Sequence, residues 1–226
     1  MSGVKLSKGT IDVLKNFSGI NSQILVKKGS VLRTISAQKT IMAQATVEDE
    51  FPVDFAIYDL PQLLSAIGLF QDPDIEFGDR SLTISGANGV SLRYTYASPE
   101  NIAAPPSKDI KLPSQDLTAE VTQAQLAAVI KAAGVLSMPE VAIVSDGDDV
   151  SLVAGDAKNK SSNQFLQPIS HGPVSARFTM IYKVENLLRV MPGDYTLNVS
   201  SKGLTHLKSS RLQYWIPTES SSKYGE

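Results

Sequence analysis

Residues 56–67, AIYDLPQLLSAI, and residues 180–191, MIYKVENLLRVM, decide the fold. At a constant offset of 124, Ile57 pairs with Ile181, Tyr58 with Tyr182, Leu60 with Val184, Leu63 with Leu187, Leu64 with Leu188 and Ile67 with Met191. Each string reads as a strand that runs into an amphipathic helix. A second match lies upstream at an offset of 115, where Leu6, Ser7, Ile11, Leu14 and Gly19 face Val121, Thr122, Leu126, Val129 and Gly134. Two matched helices in the same order mark an internal repeat. The nine-residue difference between the offsets is absorbed by longer strand loops in the second half.

Reading outward, the first half begins with a helix over Lys5–Phe17, capped by Ser7. Strands follow at Gln23–Val26, Val31–Ser36, Ile41–Val47 and Val53–Tyr58, with Lys27-Lys28-Gly29-Ser30 as a hairpin turn between the first two. A helix over Asp59–Phe70 has an Asp cap and a Pro in its first turn. Strands at Asp74–Phe77, Leu82–Ser85 and Ser91–Tyr96 close the half. The stretch Ala97–Gln115, with four prolines, has no periodicity and reads as an extended linker. The grammar then restarts. A helix over Gln123–Leu136 is capped by Thr122, and a hairpin of Val141–Ser145 and Val150–Ala154 turns at Asp146-Gly-Asp-Asp149. Strands near Gln164–Ile169 and Ala176–Tyr182 lead to a helix over Lys183–Met191, and strands at Tyr195–Ser200, Leu204–Lys208 and Arg211–Ile216 follow. The polar tail, Thr218–Glu226, is expected to fray. The expected organisation is an N-terminal domain over residues 1–103, a linker over 104–115 and a C-terminal domain over 116–226. Hairpin-length connections and an excess of strands give an α+β fold with two helices on largely antiparallel sheets in each domain.

Composition narrows the function. The 226 residues include no Cys and two His, and 42% of them are hydrophobic. A full core can form, while thiolate metal sites, iron–sulfur clusters and cysteine nucleophiles are excluded. The start, MSGVKLSKGT, lacks the apolar run of a secretory signal, and no stretch reaches membrane-spanning length, so a soluble, unprocessed chain is expected. No phosphate-binding glycine loop, dinucleotide fingerprint, zinc-protease motif or nucleophile elbow occurs. Asp146, Asp148 and Asp149 resemble a calcium loop only loosely, and a hairpin turn explains them better. His171 and His206 stand apart from any candidate nucleophile. The acidic run Glu48, Asp49, Glu50 and Asp54 reads as a solvated loop. No catalytic residue, cofactor or metal is therefore expected.

The net charge of −2 and pI of about 5.7 argue against bulk attraction to nucleic acid. Position changes that reading. Helix one is assigned Lys5, Lys8 and Lys15 against Asp12. Helix three has Lys131 as its only charge, and helix four is assigned Lys183 and Arg189 against Glu185. Acidic residues collect in strands and turns. Any single lysine is adequately explained as a solvated helix position; together they suggest positive helix faces on a negative chain.

KLSKGTIDVLKNFSGINSQIL at 5–25, DFAIYDLPQLLS at 54–65 and MPGDYTL at 191–197 carry a resemblance to the sliding clamps of T-even-type bacteriophages. The resemblance implies a processivity-clamp fold, with three subunits closed head to tail around duplex DNA, sheets outside and helices lining the hole. Carried over, Lys5, Lys8, Lys15, Lys131, Lys183 and Arg189 would face DNA without reading its sequence. The helix over Asp59–Phe70 departs from a basic lining, having no Lys or Arg. The family's polymerase docks by a tail peptide in an apolar pocket beside the linker. Ile102, Pro105, Ile110 and Leu112, with Tyr214, Trp215, Ile216 and Pro217, are the candidates here, although Trp215 is as readily explained by strand packing. The resemblance further implies an ATP-driven clamp loader, a homotrimer that tethers the replicative polymerase, and a place in the cytoplasm of the bacterial host. A phage structural protein of tail or baseplate type, built from repeated antiparallel domains, would share the repeat but would not require basic helices. A small hydrolase with an unrecognised carboxylate pair is the third reading.

Overall fold

The computed structural model describes residues 4–106, 110–159 and 161–225. The chain divides into two compact units, Met1–Ser107 and Lys108–Glu226.

The first unit opens with α1 (Lys8–Ile20), which presents Thr10, Val13, Leu14, Phe17 and Ile20 to the core at helical spacing. Ser7 caps it, its hydroxyl accepting from Thr10 N at 3.2 Å. The order continues β1 (Ile24–Val26), β2 (Gly29–Ile35), β3 (Met42–Phe51), β4 (Phe55–Ile57), α2 (Leu60–Ile67), β5 (Asp74–Phe77), β6 (Ser81–Ser85) and β7 (Ser91–Thr95). β2 pairs with β3, β1 with β4, and β5, β6 and β7 form a meander, all antiparallel. Lys27–Ser30 is thus not the turn of a β1–β2 ladder, because the Asp54 carboxylate takes Lys28 N at 2.7 Å and Lys27 Nζ at 2.8 Å. Those bonds hold the connection against the start of β4. Asp59 caps α2 by accepting from Gln62 N at 2.9 Å. Leu69 and Phe70 close its end with three-residue turns, which is why the pattern reads longer than the α-helix itself. Phe51, Phe55 and Phe77 form an aromatic core with ring centroids 5.3–5.9 Å apart, and Tyr96 stacks on Phe55 at 5.2 Å.

The second unit repeats the order with a full strand added in front and two two-residue strands, β12 and β17, added further along. It comprises β8 (Leu117–Val121), α3 (Gln123–Val135), β9 (Glu140–Asp146), β10 (Val150–Gly155), β11 (Phe165–Pro168), β12 (Ser170–His171), β13 (Arg177–Lys183), α4 (Val184–Leu187), β14 (Tyr195–Ser200), β15 (Leu204–Lys208), β16 (Leu212–Pro217) and β17 (Lys223–Tyr224). One antiparallel sheet runs β11-β10-β9-β13-β17, and the ladder β12-β8-β14-β15-β16 makes a second. In the first unit the counterpart of β8 is reduced to a single bridge, Val4 to Ile75. The expected helix over Lys183–Met191 holds only one α-helical turn. Lys183 supplies no side-chain cap, and the chain continues in three-residue turns, Arg189 N to Asn186 O and Val190 N to Leu187 O. Met191 then donates from its N–H to the Tyr214 hydroxyl, while Tyr195 donates to the Met191 carbonyl at 2.7 Å. The tail, as far as it lies in the described residues, does not fray. β17 pairs with β13, and Tyr224 stacks on Phe178 at 5.4 Å.

Candidate nucleic-acid interface and docking surface

The packing of α1 leaves Lys8, Gly9, Lys15 and Gly19 exposed. Lys8 and Lys15 are seven residues apart, close to two full turns, so they share that side. Lys15 Nζ lies 4.0 Å from Asp12 on the same surface, a solvated pair of little energetic weight. Lys5 is not on the helix: α1 starts after Ser7, and Lys5 forms an exposed ion pair with Asp72. The neighbouring carboxylate raises its pKa through that hydrogen bond. In α2 the exposed residues are Pro61, Gln62 and Ser65, without charge. In α3 they are Gln123, Ala124, Ala127, Lys131, Gly134 and Val135. Lys131 is therefore the one charged residue among them. Lys183 and Arg189 flank α4 rather than belonging to it. Lys183 is exposed beside a surface hollow whose walls carry Glu140, Asp156, Glu185 and Glu219 as well as Lys158, so carboxylates outnumber cations around it. Arg189 is half-buried. The uncompensated cations on helix faces are thus fewer than the sequence pattern suggested, and Lys8 and Lys131 are the clearest.

Of the acidic run, Glu48, Asp49 and Glu50 lie within β3, and Asp54 lies in the connection to β4. Asp49 has a local task, accepting from Ser7 N at 2.7 Å at the start of α1. Asp194 does likewise for α3, accepting from Gln123 N at 2.7 Å. Negative groups at these ends complement the helix dipoles. Sequence spacing could not reveal either contact, since each joins residues far apart in the chain. At the Asp146 turn, the carboxylate accepts from Asp148 N and Asp149 N at 3.0 and 2.8 Å, while Gly147 takes φ +105°. These bonds hold the Asp146 carboxyl below its ordinary pKa and use its lone pairs internally, as a hairpin requires. Among the described residues no group of three or more His, Asp or Glu is placed to hold a metal ion.

Of the docking candidates, Ile102 is buried in the first unit just after a short turn at Pro99–Asn101, and Pro105 is half-buried. In the second unit Ile110 and Leu112 are half-buried, and β16 carries the other four. Tyr214 and Ile216 are fully buried, with burial pushing the Tyr214 hydroxyl up to about 12. Trp215 is on the opposite face of the strand from Tyr214. It stacks on its cross-strand neighbour His206 with centroids 4.6 Å apart, and His206 Nε2 meets Gln213 Oε1 at 2.9 Å. Burial lowers the pKa of His206, and Lys208 adds to that shift. The Trp215 indole N–H is buried and has no hydrogen-bond partner among the described residues. The linker's last residues are anchored to the second unit. The Ser114 hydroxyl donates to Asp116 at 2.6 Å and lies 2.7 Å from the Ser200 hydroxyl, and Asp116 accepts from Ser201 N at 2.7 Å.

This twice-used unit of antiparallel sheets and helices is the architecture of the DNA clamps. The PCNA of A. fulgidus, in a structure with the C-terminal region of FEN-1 bound, matches with TM-score 0.71 at 15% identity over 99% of this chain and 100% of that one. The PCNA of Entamoeba histolytica matches with TM-score 0.71 at 10% identity over 96% of this chain and 98% of that one. Residues 5–102 match the family described as DNA polymerase processivity factor. The sliding clamp of Vibrio phage KVP40 is 31% identical, covering 96% of this chain and 99% of the relative. That of Enterobacteria phage T4 is 29% identical over 88% and 89% of the two chains. The chain belongs to the sliding-clamp family of T-even-type phages, the polymerase processivity factors.

Proposed function

We propose that three copies of this chain close head to tail into a ring around duplex DNA and tether the replicative polymerase. The observation that carries this reading is the family relationship over nearly the whole length of both chains, at 31% identity. Two features of the fold support it. First, the helices present short side chains and isolated lysines rather than an array of hydrogen-bonding groups. Such a surface gives weak, sequence-independent attraction to phosphates, which suits sliding, because topological closure and not affinity supplies retention. Second, β7 and β11 are edges of their sheets within their units, and both have exposed apolar groups nearby: Tyr58 beside β7 and Leu166 on β11. Exposed edges are normally blunted or paired. A heterologous contact of one copy's β7 with the next copy's β11 pairs both and propagates round a closed ring.

DNA would be met by Lys8, Lys15 and Lys131, with Lys5, Lys183 and Arg189 in secondary roles. The domains of this reading are 1–103 and 116–226, joined by the linker over 104–115. Ile102, Pro105, Ile110, Leu112, Tyr214, Trp215, Ile216 and Pro217 would receive a polymerase tail peptide. The FEN-1 region bound to A. fulgidus PCNA offers the analogy for that docking. Opening the ring is assigned to an ATP-driven loader, and the site of action to the infected host's cytoplasm. No described helix is long and apolar enough to cross a membrane. Light scattering on the purified protein tests the assembly. A mass of three times the 24.3 kDa chain is expected, and a monomer at all concentrations would overturn the ring.

A further inference from the structure

The two long helices solve one capping problem in different ways. At the start of α3, the backbone N–H of the cap residue Thr122 is taken locally by Gln125 Oε1 at 2.9 Å, and the Thr122 hydroxyl accepts from Gln125 N in return. That is a reciprocal capping box, contained within one turn. At the start of α1 the equivalent third position is Thr10, whose buried hydroxyl accepts from the Ser7 hydroxyl at 3.1 Å and leaves the Ser7 N–H to another acceptor. The same donor, Ser7 N, is instead taken by Asp49 Oδ2 at 2.7 Å. Asp49 sits near the end of β3, 42 residues away in sequence. The bond therefore does more than satisfy an orphan N–H. It fixes the first turn of α1 to the sheet, next to Lys8, the first residue of the helix.

We propose that Asp49 is a positioning residue for the DNA-facing side of α1, holding the helix start so that Lys8 is presented to the phosphate backbone in a fixed place. The proposal rests on the clamp reading given above. It makes a prediction of sign that simple electrostatics cannot. Removing a carboxylate near bound DNA should by itself strengthen binding. Asp49→Ala removes both the charge and the acceptor, whereas Asp49→Asn removes the charge and keeps an oxygen that can accept from Ser7 N. If positioning dominates, the alanine variant binds more weakly and the asparagine variant at least as well as wild type. Losing one intramolecular hydrogen bond corresponds to roughly fivefold in equilibrium, which sets the scale of the difference. Asp194 is a weaker case, because the Thr122–Gln125 box already fixes α3.

The test uses the full-length protein and a short fluorescent duplex, with binding followed by anisotropy at low salt. The expected result is about fivefold weaker binding for Asp49→Ala than for Asp49→Asn, a gap that closes when Lys8→Gln is present in both. Equal binding by the two Asp49 variants overturns the proposal. So does a gap that persists without Lys8, since that is a general loss of structure. If Asp49→Ala fails to fold, Asp49→Ser, which also fails to span the gap, takes its place with the same outcomes. Failure of the clamp reading looks different: wild type then shows no salt-sensitive duplex binding and no retention on circular DNA, and the proposal falls with it.

Discussion

Lys131 offers the sharpest perturbation of the proposed DNA interface. It is the only charge on α3, it is exposed, and it has no ion pair among the described residues. Replacement by Gln removes the charge and keeps a long side chain of similar helix propensity, so α3 should stay intact. Each phosphate neutralised by a lysine contributes about 0.9 to the slope of log affinity against log salt. Between 50 and 200 mM salt, one such contact corresponds to a roughly 3.5-fold change in binding. A duplex off-centre in the ring would engage one copy of Lys131; a centred one could engage all three. Lys131→Gln should therefore flatten the slope by about 1 to 3. The assay is anisotropy of a short duplex across a salt series, with Lys39→Gln as the charge-matched control. Lys39 is exposed on the turn joining β2 and β3, away from any helix face in sequence and topology. An unchanged slope for Lys131→Gln, or an equal flattening by Lys39→Gln, would refute the assignment of DNA contact to the helix faces.

Other outcomes follow from the same structure. Leu166→Glu places a charge on the β11 edge and should shift the assembly towards monomers by light scattering while leaving the circular-dichroism spectrum unchanged; intact trimers would remove β11 from the seam. Gly86→Ala would bring a methyl group to 2.6 Å from Phe70 Cδ1 and should cost about 1–3 kcal/mol in denaturant unfolding; no loss would mean that the Phe70 ring moves freely. Acid should act in two stages. The depressed imidazole of His206 is protonated more readily in the unfolded chain, so stability falls as pH drops below its ordinary 6.5, and His206→Gln should abolish that stage. Asp54, Asp116 and Asp146 titrate below their ordinary 3.8 in the fold, so their contribution is full above that value and is lost below about pH 4. A thermal-melting series in pH with no inflection near 6 would remove the His206 stage.

The features legible in the sequence were those written in local spacing. The apolar stripe of α1 and the caps Ser7, Asp59 and Thr122 each depend on residues within one or two turns, and each is found in place. The repeat was legible because the same strand–helix string occurs twice. Failures came where a distant residue decides the outcome. Lys27–Ser30 has hairpin composition, yet Asp54 binds its backbone and β1 pairs with β4 instead. Residues 184–191 keep a helical apolar pattern, yet without a cap they form one turn and then tighter ones that end on Tyr214. The polar tail gave no sign that Tyr224 would stack on Phe178. Lys5 looked like part of a basic helix face, but the helix starts after it and Asp72 pairs with it. The acidic residues at 48–50 were read as a solvated loop; Glu48 and Glu50 are indeed exposed, but the segment is strand, and Asp49 binds the backbone N–H of Ser7, the cap of α1. Charge pattern thus overstated how many cations stand exposed and uncompensated on the helix faces.

Topological linkage is the core of the account, and one measurement tests it most directly. The protein is placed on circular duplex DNA with the ATP-driven loader that the proposed function calls for, excess protein is removed, and the circle is cut once. A ring that slides stays on the closed circle and leaves quickly through the new ends, with loss prevented when bulky blocks are placed at both ends. Protein that remains on the cut DNA without blocks, or that leaves closed and cut circles at the same rate, would contradict a clamp that holds DNA by encircling it.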